Sequence, residues 1–224
     1  MDIHKPKPAH SWREFVIEIG TIILGILIAL GLEQAVEAHH WKTLVSEGRQ
    51  ALKAEVNQQT RTYANRLTVH PCVERRLGEI EAILAELDAG RRVAPVADFG
   101  RPLGSSSQEN VWRALSASGV LTHFPPQELI AYSTLYSTSE EVSSWSTMGG
   151  EDWSVIKLIV GDPNRLTPSD RTLIRVAVNH TRALEAVWTG NSQRQIDRAR
   201  ALGVTIASPA DISRAPACLP LVRS

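Results

Sequence analysis

The sequence is short of several things, and each shortage removes a class of protein. It has two cysteines in 224 residues, too few for a disulfide scaffold, and Cys72 and Cys218 stand in no spacing that resembles a zinc site. It has no excess of either charge: 24 Lys+Arg meet 24 Asp+Glu, interspersed along the chain. The basic surplus with which proteins usually meet nucleic acid is therefore lacking, and no nucleic-acid partner is expected. The same balance, with 43% hydrophobic residues and a mean hydropathy of −0.12, excludes a disordered chain. Long apolar runs are scarce too, which excludes a polytopic membrane protein. No internal repeat is present, and no alternating apolar–polar pattern lasts more than a few residues, so strands are not expected.

One apolar run does exist. Residues 19–32 read IGTIILGILIALGL without a charge, and Phe15, Val16 and Ile17 extend it backwards across Glu18. The uninterrupted stretch is shorter than the about 20 apolar residues of an ordinary span, but its flanks argue for one. Trp12 and Phe15 precede it and Trp41 follows, as interface anchors do. At about 1.5 Å per residue the two tryptophans stand roughly 43 Å apart, close to a bilayer with its headgroups. Ser11-Trp12-Arg13-Glu14 fits a capping box, and no proline interrupts between Pro8 and Pro71. The predicted division is a cytoplasmic tail over 1–14 and a transmembrane helix over 15–38. Lys5, Lys7 and Arg13 precede the run, against Lys42 and Arg49 after it, which puts the N-terminus inside. A competing reading is a signal peptide cleaved near Ala38. Within the run Thr21, Gly25 and Ala29 lie four apart on one face, the small-residue spacing that lets membrane helices approach, so a homodimer or a membrane-protein partner is a candidate alongside the lipid bilayer.

Beyond the run the pattern is helical throughout. Trp41, Val45, Gly48, Leu52, Val56, Gln59, Tyr63 and Leu67 step by three or four. His70-Pro71 is expected to end that helix, and Val73, Leu77, Ile80, Leu84 and Leu87 form the seam of the next, giving an antiparallel hairpin or stalk over 39–89. Residues 90–107 read as a loop. A bundle of shorter helices follows over 108–202. One runs from Glu109 to Ser118, with Gly119 as its C-cap; one opens at Pro125-Pro126 and is punctuated at Gly149-Gly150; one runs from Trp153 to Val160. The last starts at Thr167-Pro168-Ser169-Asp170, carries Leu173, Val176, Ala177, His180, Leu184, Val187 and Trp188 on its stripe, and reaches Gly190-Asn191. The tail, 203–224, reads as extended. The fold class is all-α: an N-terminal transmembrane helix continuing into a helical hairpin, plus a small bundle.

The opening HSWREFVIEIGTIILGILIALGLEQAVEAHHW and the later WRALSASGVLTHFPPQELIAYSTLYS resemble uncharacterised bacterial membrane proteins with one N-terminal span and a helical exterior. The second segment carries Trp112, Leu115, Ser118, Gly119 and Leu121 in a W-x-x-L-x-x-S-G-x-L pattern. The resemblance implies topology and no catalytic residue.

Chemistry-bearing residues are few. An oxidising exterior would allow Cys72 and Cys218 to bridge, closing a loop of well over a hundred residues; two separate thiols are the alternative. His39-His40 point in different helical directions and read as interfacial polar residues, His70 as part of a turn, and His180 as a hydrogen-bonded core histidine. Glu18 reads as an interfacial acid. Ser105-Ser106-Ser107 lacks the glycines of a nucleophile elbow, residues 100–104 lack the ending of a phosphate loop, and Arg91-Arg92 with Arg101 read as a solvated basic loop. No catalytic, cofactor or metal residue is assigned. The sequence thus points to a single-pass protein of a bacterial inner membrane with a periplasmic interaction or scaffold domain. An exported soluble enzyme or ligand-binding protein and a sensor subunit are the alternatives.

Overall fold

The computed structural model describes residues 11–102, 109–211 and 215–221. Among these the chain is all-α, with four helices: α1 (Trp12–Asp88), α2 (Asn110–Ala117), α3 (Pro126–Ile156) and α4 (Pro168–Ala201), joined by short 3-10 turns at Val120–His123, Lys157–Ile159 and Pro163–Arg165. The one extended pairing is an isolated antiparallel bridge between Val96 and Gly161. The chain divides into two compact units, Met1–Glu47 and Gly48–Ser224.

In the first unit the described residues are helical, and the helix begins where the capping box places it, with the Glu14 amide donating to Ser11 Oγ at 3.3 Å. The apolar residues from Phe15 to Val36 are all exposed. The most apolar window of this helix is long and hydrophobic enough to cross a membrane, and none of it is buried by protein.

The second unit is a bundle in which α1 beyond Gly48 contributes a long buried face: Leu52, Val56, Tyr63, Val69, Val73, Leu77, Ile80 and Leu84. Both predicted stripes are there, but on one helix. The hairpin expected over 39–89 is not formed, because α1 passes Pro71 without a break. Proline removes one intrahelical hydrogen bond and crowds the preceding turn. Here its ring lies on the exposed side, where water can serve the freed carbonyl, while the buried residues before and after it belong to one continuous packed face. The larger core joins Val73, Leu77, Ile80 and Ile83 to Trp153 and Ile156 of α3 and to Ile174, Ala177 and Val178 of α4. A second cluster gathers Tyr63, Val142, Trp188 and Ile196.

Two other expected breaks are absent. Gly149-Gly150 lies inside α3, which therefore runs to Ile156 instead of ending before a separate helix from Trp153. Packing accounts for Gly150: a Cβ there would stand 2.7 Å from Nη1 of Arg101. Gly190-Asn191 lies inside α4, where the Asn191 amide donates to the Val187 carbonyl at 3.0 Å and its oxygen accepts from Arg194 at 2.7 Å. The start of α4 is a full capping box, with Thr167 Oγ1 accepting from the Asp170 amide and the Asp170 carboxylate accepting from the Thr167 amide. Residues 91–102 and 203–211 carry no helix.

Candidate functional site

The residues of the apolar segment stand on an unshielded helix. The Trp12 and Phe15 rings lie 5.7 Å apart and tilted, and Trp41 donates from Nε1 to Glu37 at 3.3 Å. These amphipathic rings sit at the two ends of the run, the arrangement expected at headgroup depth. Thr21 returns its hydroxyl to the Ile17 carbonyl at 2.8 Å, satisfying its polar atom within the helix. A Cβ built on Gly25 meets nothing within 4 Å, so the Thr21, Gly25, Ala29 face is open. Lys5 and Lys7 lie outside the described residues.

In the second unit Cys72 of α1 is bonded to Cys218 of the tail, with an S–S distance of 2.10 Å. The tail is fastened on both sides of that bond. Arg75 donates to the Cys218 carbonyl at 2.7 Å and Arg76 to that of Leu219. Arg76 is itself buried, its charge faced by Glu79 at 3.2 Å and its guanidinium 5.1 Å from the Phe99 ring. Burial lowers its pKa from the ordinary arginine value.

The W-x-x-L-x-x-S-G-x-L stretch has a structural role. Glu55, buried on α1, accepts at its two carboxylate oxygens from the Val111 and Trp112 amides, at 2.9 and 3.3 Å. It thereby caps the open N-terminus of α2, where the helix dipole favours an anion. The Tyr136 hydroxyl donates to the same carboxylate at 2.6 Å, and Trp112 stacks on the Tyr136 ring at 4.9 Å. Leu115 packs on the bare backbone of Gly48, Gly119 takes φ +76° to leave the helix, and Leu121 is buried. Arg49 holds the start of α3 through two bonds to Glu128, at 2.6 and 2.9 Å.

Three histidine expectations change or take shape. His70 forms no turn; it stands within α1 with Nδ1 3.5 Å from the buried Glu185 carboxylate. His180 is not in the core: its side chain is 51% exposed, with Nδ1 2.8 Å from Asp152. The reason is that only part of the expected stripe turns inward: Ala177 and Trp188 are buried and Leu184 half-buried. Leu173, Val176 and Val187 are exposed, and the face turned inward carries Ile174, Ala177, Val178, Thr181, Glu185, Trp188, Ser192 and Gln195. His39 and His40 stay on the exposed surface of α1. Of the basic loop, Arg91 pairs with Glu86, and Arg101 packs over Gly150. Ser105, Ser106 and Ser107 lie outside the described residues.

Hydropathy conceals the most unusual arrangement. Arg66 and Glu185, 5% and 1% exposed, form an ion pair inside the bundle, and the Arg66 guanidinium lies 3.8 Å from the Trp188 ring centre. Burial brings the Arg66 pKa down to about 10. A signal did exist: Thr181, Glu185, Trp188 and Ser192 repeat at helical spacing in phase with Ile174 and Ala177-Val178, so a charged residue rides on an apolar register.

No protein-family model, curated protein or solved structure matches this chain. Among the described residues no group of three or more His, Cys, Asp or Glu could hold a metal ion.

Proposed function

We propose that the chain is a single-pass membrane protein whose residues 15–38 cross the bilayer and whose second unit is a periplasmic helical interaction or scaffold domain of a bacterial inner membrane. One observation carries this reading: every apolar side chain from Phe15 to Val36 is exposed, covered by no other part of the chain. In water that surface would associate without limit, whereas a bilayer covers it. The Cys72–Cys218 bond supports an oxidising compartment for the second unit, since such bonds are rare where glutathione keeps thiols reduced. With the basic residues ahead of the run, this favours the N-terminus inside. The resemblance to bacterial single-pass proteins agrees with that topology. Scaffold or interaction is the preferred role because buried charged groups of the second unit serve its architecture, Glu55 capping α2 and Arg76 pinning the tail.

Membrane fractionation tests the reading. The full chain should remain with membranes through a carbonate wash and keep its native N-terminus, and a C-terminal fusion active only in the periplasm should report activity. A cytoplasmic signal would overturn the topology. Crosslinking in living cells from residues 90–102 should recover a membrane partner. Gly25→Ile should weaken self-association in membranes if the Thr21, Gly25, Ala29 face is a dimer contact.

A second reading has its own observation: Gly48–Ser224 is a compact unit in itself, so cleavage near Ala38 would release an intact exported domain. Soluble protein beginning near His39 would establish it in place of the anchored form.

A further inference from the structure

The outward face of α4 carries no acid, lysine or arginine over about five turns. From Thr172 to Gly190 its exposed residues include Leu173, Val176 and Val187, at 55, 62 and 46%, and none of the exposed ones is Lys, Arg, Asp or Glu. The stretch does hold three charged residues, and each turns to α1. Arg175 pairs with Asp88, Arg182 with Glu81 at 2.9 Å and Glu74 at 3.3 Å, and the buried Glu185 with Arg66. Toward the C-terminus charge returns to the surface of the helix at the exposed Arg194 and Asp197. In a chain of which 21% is charged, a solvated helix face is expected to carry part of that charge.

The spacing along this face suits a second helix. Leu173, Val176, His180, Ala183, Val187 and Gly190 follow one another at alternating steps of three and four, the seam along which two helices pack knob into hole. It is separate from the face α4 uses inside the bundle, where Ile174, Ala177, Val178 and Trp188 are buried, so the bundle covers one of two packing faces. The missing charge identifies the occupant. Partners of different sequence are commonly matched by opposite charges, and this seam has none to match. A twofold contact sets one patch against itself, where any charge on the seam would meet its like. Arg175 and Arg182, beside the seam, are neutralised by the acids of α1, which leaves an apolar centre bordered by paired charges. His180, held by Asp152 at 2.8 Å, is the single polar side chain in the seam, in the way one polar residue fixes the register of paired helices. We infer that this face of α4 is a homodimer contact, in which the seam from Leu173 to Gly190 packs on the same seam of a second copy of the chain. The contact lies wholly within the second unit and stands whether or not residues 15–38 cross a membrane.

The test uses the full chain in detergent micelles, which cover the apolar residues 15–36 and leave α4 in water. Cys72 and Cys218 are bonded to each other, so a thiol crosslinker reaches only an introduced cysteine. Ala183→Cys, exposed in the middle of the seam, should give covalent dimers with a short bis-maleimide, and Ser133→Cys, exposed on α3, should give few. The Ala183→Cys crosslink should persist when Gly25→Ile is placed in the same chain. Val176→Glu and Val187→Glu put a charge in water in the monomer but against its like in the dimer. Each should raise the dimer dissociation constant by about tenfold or more in sedimentation equilibrium, with the far-ultraviolet circular dichroism unchanged. Equal crosslinking from Ala183→Cys and Ser133→Cys, its loss with Gly25→Ile, or a dimer that both glutamate variants leave untouched would overturn the assignment. So would a wild-type chain that stays monomeric, or crosslinks in living cells that join position 183 only to lipid or to a different protein.

Discussion

Cys72, in the last quarter of α1, is bonded to Cys218, 146 residues later, in a tail whose described residues form no helix. Around the bond Gly100 lies so close to Pro216 that a Cβ would stand 2.3 Å from the proline ring, and Arg75 and Arg76 donate to backbone carbonyls beside Cys218. A segment without periodicity is thus ordered by a covalent tie and by arginine side chains from α1.

The loop closed by that bond is long, so the chain-entropy argument assigns it up to about 5 kcal/mol. Cys72→Ser or Cys218→Ser should lower the stability of the oxidised protein by several kcal/mol in guanidinium unfolding of the detergent-solubilised chain. Limited proteolysis should cut the tail first. Unchanged stability would mean that the arginine contacts hold the tail without the bond.

Glycine substitutions should split in direction. Gly149 is inside α3 and a Cβ there meets nothing, so Gly149→Ala should stabilise by about 0.5–1 kcal/mol through helix propensity. Gly100→Ala drives a methyl into the Pro216 ring, which cannot move without shifting the chain next to Cys218. It should destabilise by about 1–3 kcal/mol. Thermal melts of the two variants, run side by side, check both signs.

What could be read from the sequence was whatever depends on spacing alone. The all-α class, the helix starts at Ser11 and Thr167, the turn at Gly119 and both apolar stripes of α1 follow from local patterns. Where the reading failed, tertiary packing overrode a local breaker: Pro71, Gly149-Gly150 and Gly190-Asn191 all sit inside helices. The α4 stripe was misplaced for another reason. Its inward face carries Thr181, Glu185, Ser192 and Gln195, and two of these, Glu185 and Gln195, find partners in distant parts of the chain, Arg66 and the Leu135 carbonyl. Ala177 and Trp188 of the expected stripe are buried, but Leu173, Val176 and Val187 face outward, so ranking by hydropathy finds only part of the inward face. Arg66 and Glu185, separated by more than a hundred residues, become a pair only once the fold has brought α1 and α4 together.

Glu55 should be a sensitive acid of the second unit, because one carboxylate serves two amides of α2 and the Tyr136 hydroxyl. Glu55→Ala should cost about 2–3 kcal/mol, the penalty of stranding buried donors, and should loosen α2. Glu55→Gln keeps the shape and an acceptor oxygen and should cost about half as much. Amide hydrogen exchange at Val111 and Trp112 reports the local effect directly: it should accelerate in both variants, more in the alanine.

The chain has three tyrosines, and burial holds all three hydroxyls above the usual range. Tyr132 is pushed up to about 12, with the Glu128 carboxylate adding to the effect of burial. Burial also raises Tyr63 and Tyr136, the latter with help from Glu55. An unfolded tyrosine ionises near 10, so between roughly pH 10 and 12 the native state keeps protons that the unfolded state has lost. The stabilisation is complete below pH 10 and disappears as pH rises through the folded values. In an alkaline titration the native protein should therefore show almost no tyrosinate absorbance near pH 10, and the signal should appear together with unfolding at higher pH. Separate titration near 10 with the fold intact would contradict the burial. Two variants separate the hydroxyls. Tyr132 has no hydrogen-bond partner for its oxygen, so Tyr132→Phe removes an unmet polar atom and should be neutral or stabilising by up to about 1 kcal/mol. Tyr136→Phe deprives the buried Glu55 carboxylate of its closest donor and should destabilise by about 1–3 kcal/mol. Opposite signs from the same chemical change, on two rings four residues apart on α3, would follow from the donor each hydroxyl does or does not supply.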